Sequence, residues 1–296
     1  IGKAFEAVTN KAKNFREEVE KDIIAADKLA ALEAKLNKAE RRVIVENAKL
    51  LLVSGFKNKN IGQNLIDHPV LLTWGYARES VGAFRGPGST SGIPSLRDGS
   101  FRKDRSAFRV EIGNWGWNWP AGSPTAELNE GLEQNLFGKE LRASVLNKVQ
   151  KEFRFGFLIE QQGIPENCVT IDDQYKDALG NNRPIINYNI TDHEKEGMLA
   201  AKSFSTQFFD TIKGEEKTNY NSTKGGFIEY KGEQLWWQGA GHLAGTHIMG
   251  TTAENSVVDK EQRCHGHQNL FLVGCGNMPT MGTSNPTLTM AALCFW

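Results

Sequence analysis

The sequence predicts an α+β fold in which an antiparallel sheet is flanked by helices. Short stretches rich in β-branched and aromatic residues, bounded by turn residues, are typical of strands. Three such stretches are residues 153–159, 169–171 and 185–190. Residues 192–213 have the apolar spacing of an amphipathic helix that begins at Thr191 or Asp192. Turn-rich segments at 86–92 and 180–184 separate these elements.

The first 45 residues predict a helical segment. Apolar residues recur every three or four positions, and Lys and Glu fill the other faces. Neither Gly nor Pro occurs between Lys3 and Ser54, so one long helix or an antiparallel pair broken near Asp27 is expected. The strand-like segment Arg42 to Val45 runs into the helix-like stretch 46–54 without a turn.

A chain of 296 residues suggests more than one domain. We predict boundaries near residues 45 and 240. The chain would then consist of a helical segment (1–45), a sheet-containing domain (46–240) and a C-terminal region (241–296).

The charge balance argues against several classes of partner. Lys and Arg number 35, as do Asp and Glu, so nothing favours binding to nucleic acid or to an anionic membrane. No apolar run approaches the roughly 18 residues of a membrane span, and the N-terminus does not resemble a signal peptide. The expectation is a soluble protein, located in the cytoplasm or, after removal of a signal, in the periplasm or outside the cell.

The cysteines predict neither a disulfide scaffold nor a metal site. Four cysteines without a Cys-x-x-Cys spacing, at positions 168, 264, 275 and 294, are typical of free thiols. The group Cys264-His265-Gly-His267 places three possible ligands within four residues, which cannot easily complete a tetrahedral zinc site. No metal is therefore predicted.

Residues with special backbone or chemical properties are densest between His242 and Thr289. A short apolar strand is predicted at Asn269–Val273. Ser284 or Asn285 before Pro286 is typical of an N-cap with proline at the first helical position, and 287–295 reads as a buried apolar helix.

Asn285 is therefore either a helix cap or a catalytic residue. The two roles are compatible, because the N-terminus of a helix attracts an anion such as a reduced flavin ring. His242, in the sequence His-x-x-Gly-Thr, precedes Asn285 by 43 residues. A single histidine is more often structural than catalytic. The strand and the turn between the two residues can nevertheless bring both of them to one pocket.

The C-terminal residues resemble, in order, a signature of the glucose-methanol-choline (GMC) family of flavin oxidoreductases. Two further segments resemble the same family, and the resemblance covers about residues 46–296. The C-terminal matches are His242-Leu-Ala-Gly-Thr246, Met249-Gly250, Ser256-Val-Val-Asp259, Arg263, Gly266, Asn269 to Gly274, Pro279-Thr280 and Asn285-Pro-Thr-Leu-Thr289. The others are Gly62-Gln-Asn64-Leu-Ile-Asp67-His68-Pro69, and Asn167 to Thr170 followed by Lys176 to Gly180, Arg183-Pro184 and Tyr188.

The resemblance implies FAD-dependent oxidation of a CH–OH group. His242 would take the hydroxyl proton while hydride passes to the flavin N5 atom, and Asn285 would hold the same oxygen. Residues 46–240 would form the substrate domain, and 241–296 would return to the FAD-binding domain. The residues implied in binding FAD are Asn64, His68, Gly274, Cys275, Gly276, Asn277, Pro286 and Thr287.

The substrate implied is an alcohol or a sugar. The motifs at 274–277 and 285–289 are most similar to the sugar-oxidising branch that includes pyranose oxidases. The aromatic cluster Asn114 to Trp119 and the pair Trp236-Trp237 suit stacking against sugar faces, although core packing explains a single tryptophan equally well. Trp237 has the stronger claim because it lies five residues before His242. His247 is interpreted as structural, with substrate contact as the alternative.

The sequence does not contain a Gly-x-Gly-x-x-Gly turn for the FAD pyrophosphate, because the glycines of 239–245 have the wrong spacing. Three alternatives to a self-sufficient oxidoreductase follow. The chain is a catalytically incomplete fragment, or one chain of a split enzyme whose second chain supplies the Rossmann unit. The third alternative is a non-redox lyase that uses His242 as a base and FAD only as structure.

Overall fold

The computed structural model describes residues 43–83, 91–113, 125–220 and 225–295, and from Ile44 on they belong to one compact unit. Helical residues 43–53 form α1. The other helices are α2 (Thr125–Glu133), α3 (Gly138–Val149), α4 (Asp192–Ile212) and α5 (Thr287–Phe295). The strands are β1 (Pro69–Tyr76), β2 (Ser91–Ile93), β3 (Phe108–Gly113), β4 (Glu152–Ile159), β5 (Cys168–Lys176), β6 (Asn182–Asn187), β7 (Glu215–Glu216), β8 (Phe227–Tyr230) and β9 (Glu233–Gly239).

The main sheet is antiparallel, with strand order β2-β3-β4-β1-β9-β8, and β7 pairs with the end of β1. Strands β5 and β6 form a separate hairpin. The centre of the sheet is the β1–β4 ladder, which runs from Val70 opposite Leu158 to Tyr76 opposite Glu152. The three predicted strands correspond to β4, β5 and β6, and the predicted α+β class is confirmed.

The core lies between the sheet and α4. Alternate residues Phe155, Phe157 and Ile159 of β4 are fully buried in one cluster with Met198 and Phe209 of α4. Each such side chain stabilises the fold by about 1.5–3 kcal/mol on burial. The predicted helix at 192–213 is confirmed, with Thr191 as its N-cap and a capping box completed by Glu194.

Two carboxyl groups are buried beside this core. Glu152 at the start of β4 is 4% exposed and Glu127 of α2 is 2% exposed. The Tyr76 hydroxyl donates to Glu127 at 2.8 Å. Burial, and then the charge of Glu127, raise the pKa of Glu152 from 4.5 to about 7, while the positive charge of Arg154 lowers it. The folded protein therefore keeps a proton that the unfolded chain releases.

Glu152→Gln should remove this pH dependence. Because the folded-state pKa is raised, the free energy of unfolding falls as pH rises from about 4.5 to 7. The variant should be more stable than the parent at pH 8 by about 1–3 kcal/mol and equally stable below pH 4. Urea unfolding at both pH values measures this difference. The exposed Glu229→Gln should show no such difference, and an equal gain at both pH values for Glu152→Gln would contradict the explanation.

The C-terminal region differs from two expectations. The predicted strand Asn269–Val273 is wrong, because the backbone makes only an isolated bridge between Arg263 and Phe271. Helix α5 has the predicted bounds but is not buried, since Leu288 is 83% exposed and Phe295 is 92% exposed. Only its Met290 and Leu293 pack against a core cluster, which contains Ile44, Ile66, Ala244, Cys275, Met278 and Met281.

Three predicted features lie outside the described residues: residues 1–42 of the helical segment, most of the turn at 86–92 and the aromatic cluster 114–119. The domain boundaries at 45 and 240 stay predictions. The four cysteines are free thiols, as predicted. In the segment considered for metal binding, His265 Nε2 is 2.8 Å from Ser256 Oγ and His267 stacks on Phe56. None of the helices among the described residues is long and apolar enough to cross a membrane.

Candidate active site

A buried carboxylate joins two of the predicted motifs. Asp67 Oδ1 accepts hydrogen bonds from the backbone N–H groups of His68 and His242, both at 2.7 Å, and Oδ2 accepts from Gly241 at 3.0 Å. A Cβ on Gly239 would lie 2.5 Å from Asp67 Oδ2, so glycine allows this close approach. Asp67 belongs to the motif at 62–69, but the sequence did not indicate that it would anchor the histidines.

The anchored residues form an imidazole pair. Nδ1 of His68 lies 2.9 Å from Nδ1 of His242, and the rings meet edge to face with centroids 5.2 Å apart. Nε2 of His68 lies 3.0 Å from the carbonyl oxygen of Gly282. Burial is the main cause that lowers the pKa of His68 from 6.5 to about 4, with further lowering by His242 and Arg109. His68 is therefore a neutral, fully buried residue, whereas His242 is half-buried.

Asn285 is exposed and contacts an arginine that the sequence did not single out. Arg109 of β3 donates to Asn285 Oδ1 at 3.2 Å and forms an ion pair with Glu111. The positive charge of Arg109 also lowers the pKa of His68, as the smallest of the causes. No sequence signal distinguishes this arginine from other polar residues on strands.

The start of α5 differs slightly from the predicted cap. Pro286 O accepts the Met290 N–H at 2.9 Å, so Pro286 occupies the cap position and Asn285 precedes it. The segment before the helix is also held by Arg97, which donates to Thr283 Oγ1 at 2.9 Å. The prediction that Ser284 or Asn285 is the N-cap, with proline in the first helical position, is therefore wrong by one or two residues.

The predicted glycine turn packs against His247. Gly274 has φ 108°, and the following 3₁₀ turn, Cys275–Asn277, is buried. A Cβ on Gly276 would lie 2.0 Å from His247 Cε1, so the imidazole fits only against glycine. Burial lowers the pKa of His247 to about 4, while a hydrogen bond with the Val273 backbone raises it. The structure therefore places His247 in the core behind the turn, which suits the structural interpretation, and substrate contact stays untested.

Trp237 lies on β9, near the residues that hydrogen-bond to the backbone of Asp67. Its ring centroid is 6.3 Å from that of Tyr188. The Tyr188 hydroxyl donates to Gln161 Oε1 at 2.8 Å, and the same oxygen accepts the Asp67 N–H at 2.9 Å. Trp237 is half-buried and packs against the core between the sheet and α4. A role in substrate binding stays a prediction.

The glycine turn contains a buried polar atom that has no hydrogen-bond partner among the described residues. Asn277 is fully buried, and its Oδ1 has no hydrogen-bond partner among the described residues, while its Nδ2 donates to Gln262 at 2.7 Å. The N–H groups of the first turn of α5 favour negative charge. Asn64 adopts φ 60° beside Gly163. No strand, Gly-x-Gly-x-x-Gly turn and helix for a pyrophosphate occur in the described ranges.

The chain is similar in sequence to several known proteins. Residues 164–294 match the family model for GMC oxidoreductase. The fructose dehydrogenase large subunit of Gluconobacter japonicus is 29% identical over 258 residues, which cover 84% of this chain and 44% of that protein. A long-chain-alcohol oxidase of Arabidopsis thaliana is 24% identical over 284 residues, covering 86% of this chain and 35% of that protein.

One further relative matches over a shorter stretch, and one solved structure is similar over most of the chain. The 2-methyl-1,2-propanediol dehydrogenase of Mycolicibacterium austroafricanum is 33% identical over 141 residues, which cover 48% of this chain and 23% of that protein. A structure of Aspergillus oryzae formate oxidase has a TM-score of 0.45 at 15% identity, covering 84% of this chain and 51% of that chain. The chain thus spans less than half the length of the curated relatives it matches. Residues 164–294 of this chain are thus similar to the GMC oxidoreductases.

Proposed function

We propose that this chain carries the catalytic residues of an FAD-dependent oxidoreductase that acts on CH–OH groups of an alcohol or a sugar. The observation that carries the proposal is the set of three hydrogen bonds that the Asp67 carboxylate accepts, which brings His242 and His68 together. The relatives in the comparison are named for fructose, a long-chain alcohol and a diol, all of which bear hydroxyl groups. The pyranose oxidase-like motifs and Trp237 favour a sugar.

Each residue of the site has its own role in this proposal. His242 accepts the hydroxyl proton, because a histidine positioned as a base accelerates such a step by roughly 10²–10⁴-fold. Asn285 holds the same oxygen through its amide Nδ2–H, since its Oδ1 faces Arg109. Bound FAD supplies the acceptor for the hydride at N5. Gly274 to Asn277, Pro286 and Thr287 would hold the flavin ring, and Asn64 and His68 would lie beside it.

The pyrophosphate of FAD requires a unit outside the described residues. Phe271 and Val273 are 54% and 46% exposed, and Leu288 and Phe295 of α5 are exposed as well. These side chains would together supply part of an apolar surface of the kind that another folded unit covers. We propose that a second chain, or a further segment, supplies the Rossmann unit there.

The visible absorption spectrum tests the proposal. The protein is purified, incubated with FAD and desalted, and a flavoprotein then shows bands at roughly 370 and 450 nm. Anaerobic addition of D-fructose or a long-chain alcohol should bleach the 450 nm band. A protein that retains FAD but is not bleached by any of a series of alcohols and sugars would favour the lyase alternative. Failure to retain FAD, even with a chain that supplies the Rossmann unit, would contradict the proposal.

Arg109→Gln tests the positioning of Asn285. The rate of flavin reduction should fall about tenfold, as expected for the loss of one hydrogen bond that orients a reacting group, or roughly 1.4 kcal/mol. The pKa of His68 should rise, because a positive charge that lowers it is removed. Stopped-flow absorbance and an NMR pH titration measure the two effects. Arg102→Gln, which breaks a surface ion pair with Glu160, is the matched control and should change neither.

A further inference from the structure

The contact of His68 with one backbone carbonyl determines which ring nitrogen of each histidine carries a hydrogen. A carbonyl oxygen can only accept a hydrogen bond, so the 3.0 Å contact with Gly282 requires that Nε2 of His68 carry a hydrogen. His68 is 0% exposed, and burial disfavours the charged imidazolium. A neutral imidazole has only one N–H group. The Nδ1 atom of His68 therefore bears a lone pair.

The lone pair on Nδ1 of His68 determines the tautomer of His242. The two Nδ1 atoms are 2.9 Å apart, which is a hydrogen-bonding distance, so one of them must donate. His68 has no hydrogen at Nδ1, so the donor is His242. Neutral His242 then has its single hydrogen on Nδ1 and its lone pair on Nε2.

We propose that His68 is a positioning residue that fixes the tautomer of His242 and so makes Nε2 of His242 the proton acceptor of the site. The inference rests on the proposed function only in assigning the accepted proton to a substrate hydroxyl. The Gly282 carbonyl, His68 and His242 form, in this order, a row of hydrogen-bonded groups. The Asp67 carboxylate lies beside both histidines, and the positive charge of Arg109 on β3 also acts on His68.

The row also responds to the reaction itself. When Nε2 of His242 takes up a proton, the ring becomes an imidazolium while its Nδ1–H continues to donate to His68. A hydrogen bond from a charged donor is roughly twice as strong as one between neutral groups. The row therefore stabilises the protonated base without moving a second proton, because His68 already donates its only hydrogen to Gly282.

Imidazole ¹⁵N chemical shifts, which distinguish protonated from unprotonated ring nitrogens, test the tautomers near pH 7.5. In the parent protein His242 should carry its hydrogen on Nδ1 and His68 on Nε2. His68→Asn places an amide oxygen close to the lost Nδ1 and should preserve the His242 tautomer. His68→Leu removes the acceptor, and His242 should then shift its hydrogen to Nε2. Parent His242 with its hydrogen on Nε2 would overturn the proposal.

A kinetic measurement separates this role from a structural one. In FAD-loaded protein, His68→Leu should slow flavin reduction by about 10²-fold at saturating substrate while the apparent substrate affinity changes little, and His68→Asn should recover most of the rate. Equal losses in both variants would contradict the positioning role. If NMR shows the predicted tautomers but no alcohol reduces the flavin, the role of His68 stands and the proposed function is rejected.

Discussion

His242→Ala is expected to slow the reduction of bound FAD by substrate by about 10²–10⁴-fold, the contribution of a positioned general base. Asp67 binds the backbone N–H of residue 242, and alanine retains that N–H, so the local fold should remain. Bound flavin should also stay in place, because the contribution of His242 is to proton transfer. Anaerobic stopped-flow absorbance near 450 nm measures the rate.

The matched control for this variant is His267→Ala. His267 is an exposed histidine of the same C-terminal region, and its ring contacts that of Phe56, with the ring centroids 4.6 Å apart. Its removal should leave the rate of flavin reduction unchanged. If His242→Ala reduced the flavin as fast as this control, the assignment of His242 as the base would be abandoned.

Asp67→Ala should produce the largest loss of stability. The substitution leaves three N–H groups, those of His68, Gly241 and His242, without their acceptor in a buried site. An unsatisfied buried donor costs about 1–3 kcal/mol, so the free energy of unfolding should fall by about 3–5 kcal/mol in total. Urea unfolding followed by circular dichroism measures this change.

Two further variants sharpen the measurement. Asp67→Asn keeps one acceptor oxygen in place and should cost less than Asp67→Ala. Asp98→Ala removes a carboxylate whose side chain is 90% exposed and should change stability by less than about 0.5 kcal/mol. If Asp67→Ala unfolded at the same urea concentration as Asp98→Ala, the three hydrogen bonds would have little energetic weight.

The parts of the fold that sequence predicted correctly are those with strong local patterns. The alternation in residues 153–159 and the cap and apolar spacing of 192–213 define β4 and α4, and both elements appear with nearly the expected bounds. The stretch 269–273 has an equally clear apolar pattern, yet it forms no strand. Strand formation depends on a neighbouring strand as well as on local sequence, and the described chain provides only the bridge from Arg263.

In the candidate site, too, the motifs could be predicted from sequence but the contacts between them could not. The motifs around His68 and His242 were visible in the sequence, whereas the contact between the two rings depends on how β1 and β9 pair. Arg109 reaches Asn285 because of its register in β3, which no local pattern reveals. Sequence alone does not distinguish His242 from His247, because both are histidines in the same stretch. In the structure His247 is buried against Gly276, whereas His242 is half-buried.

The separation of the two histidines along the chain also has a kinetic consequence. His68 and His242 are 174 residues apart, so their contact closes a very long loop. Loop closure of this length carries an entropic cost that only the pairing of β1 with β9 and the burial of the core can offset. We expect the imidazole contact to form late in folding. Its NMR signals would report on whether the last long-range contacts of a refolding chain have formed.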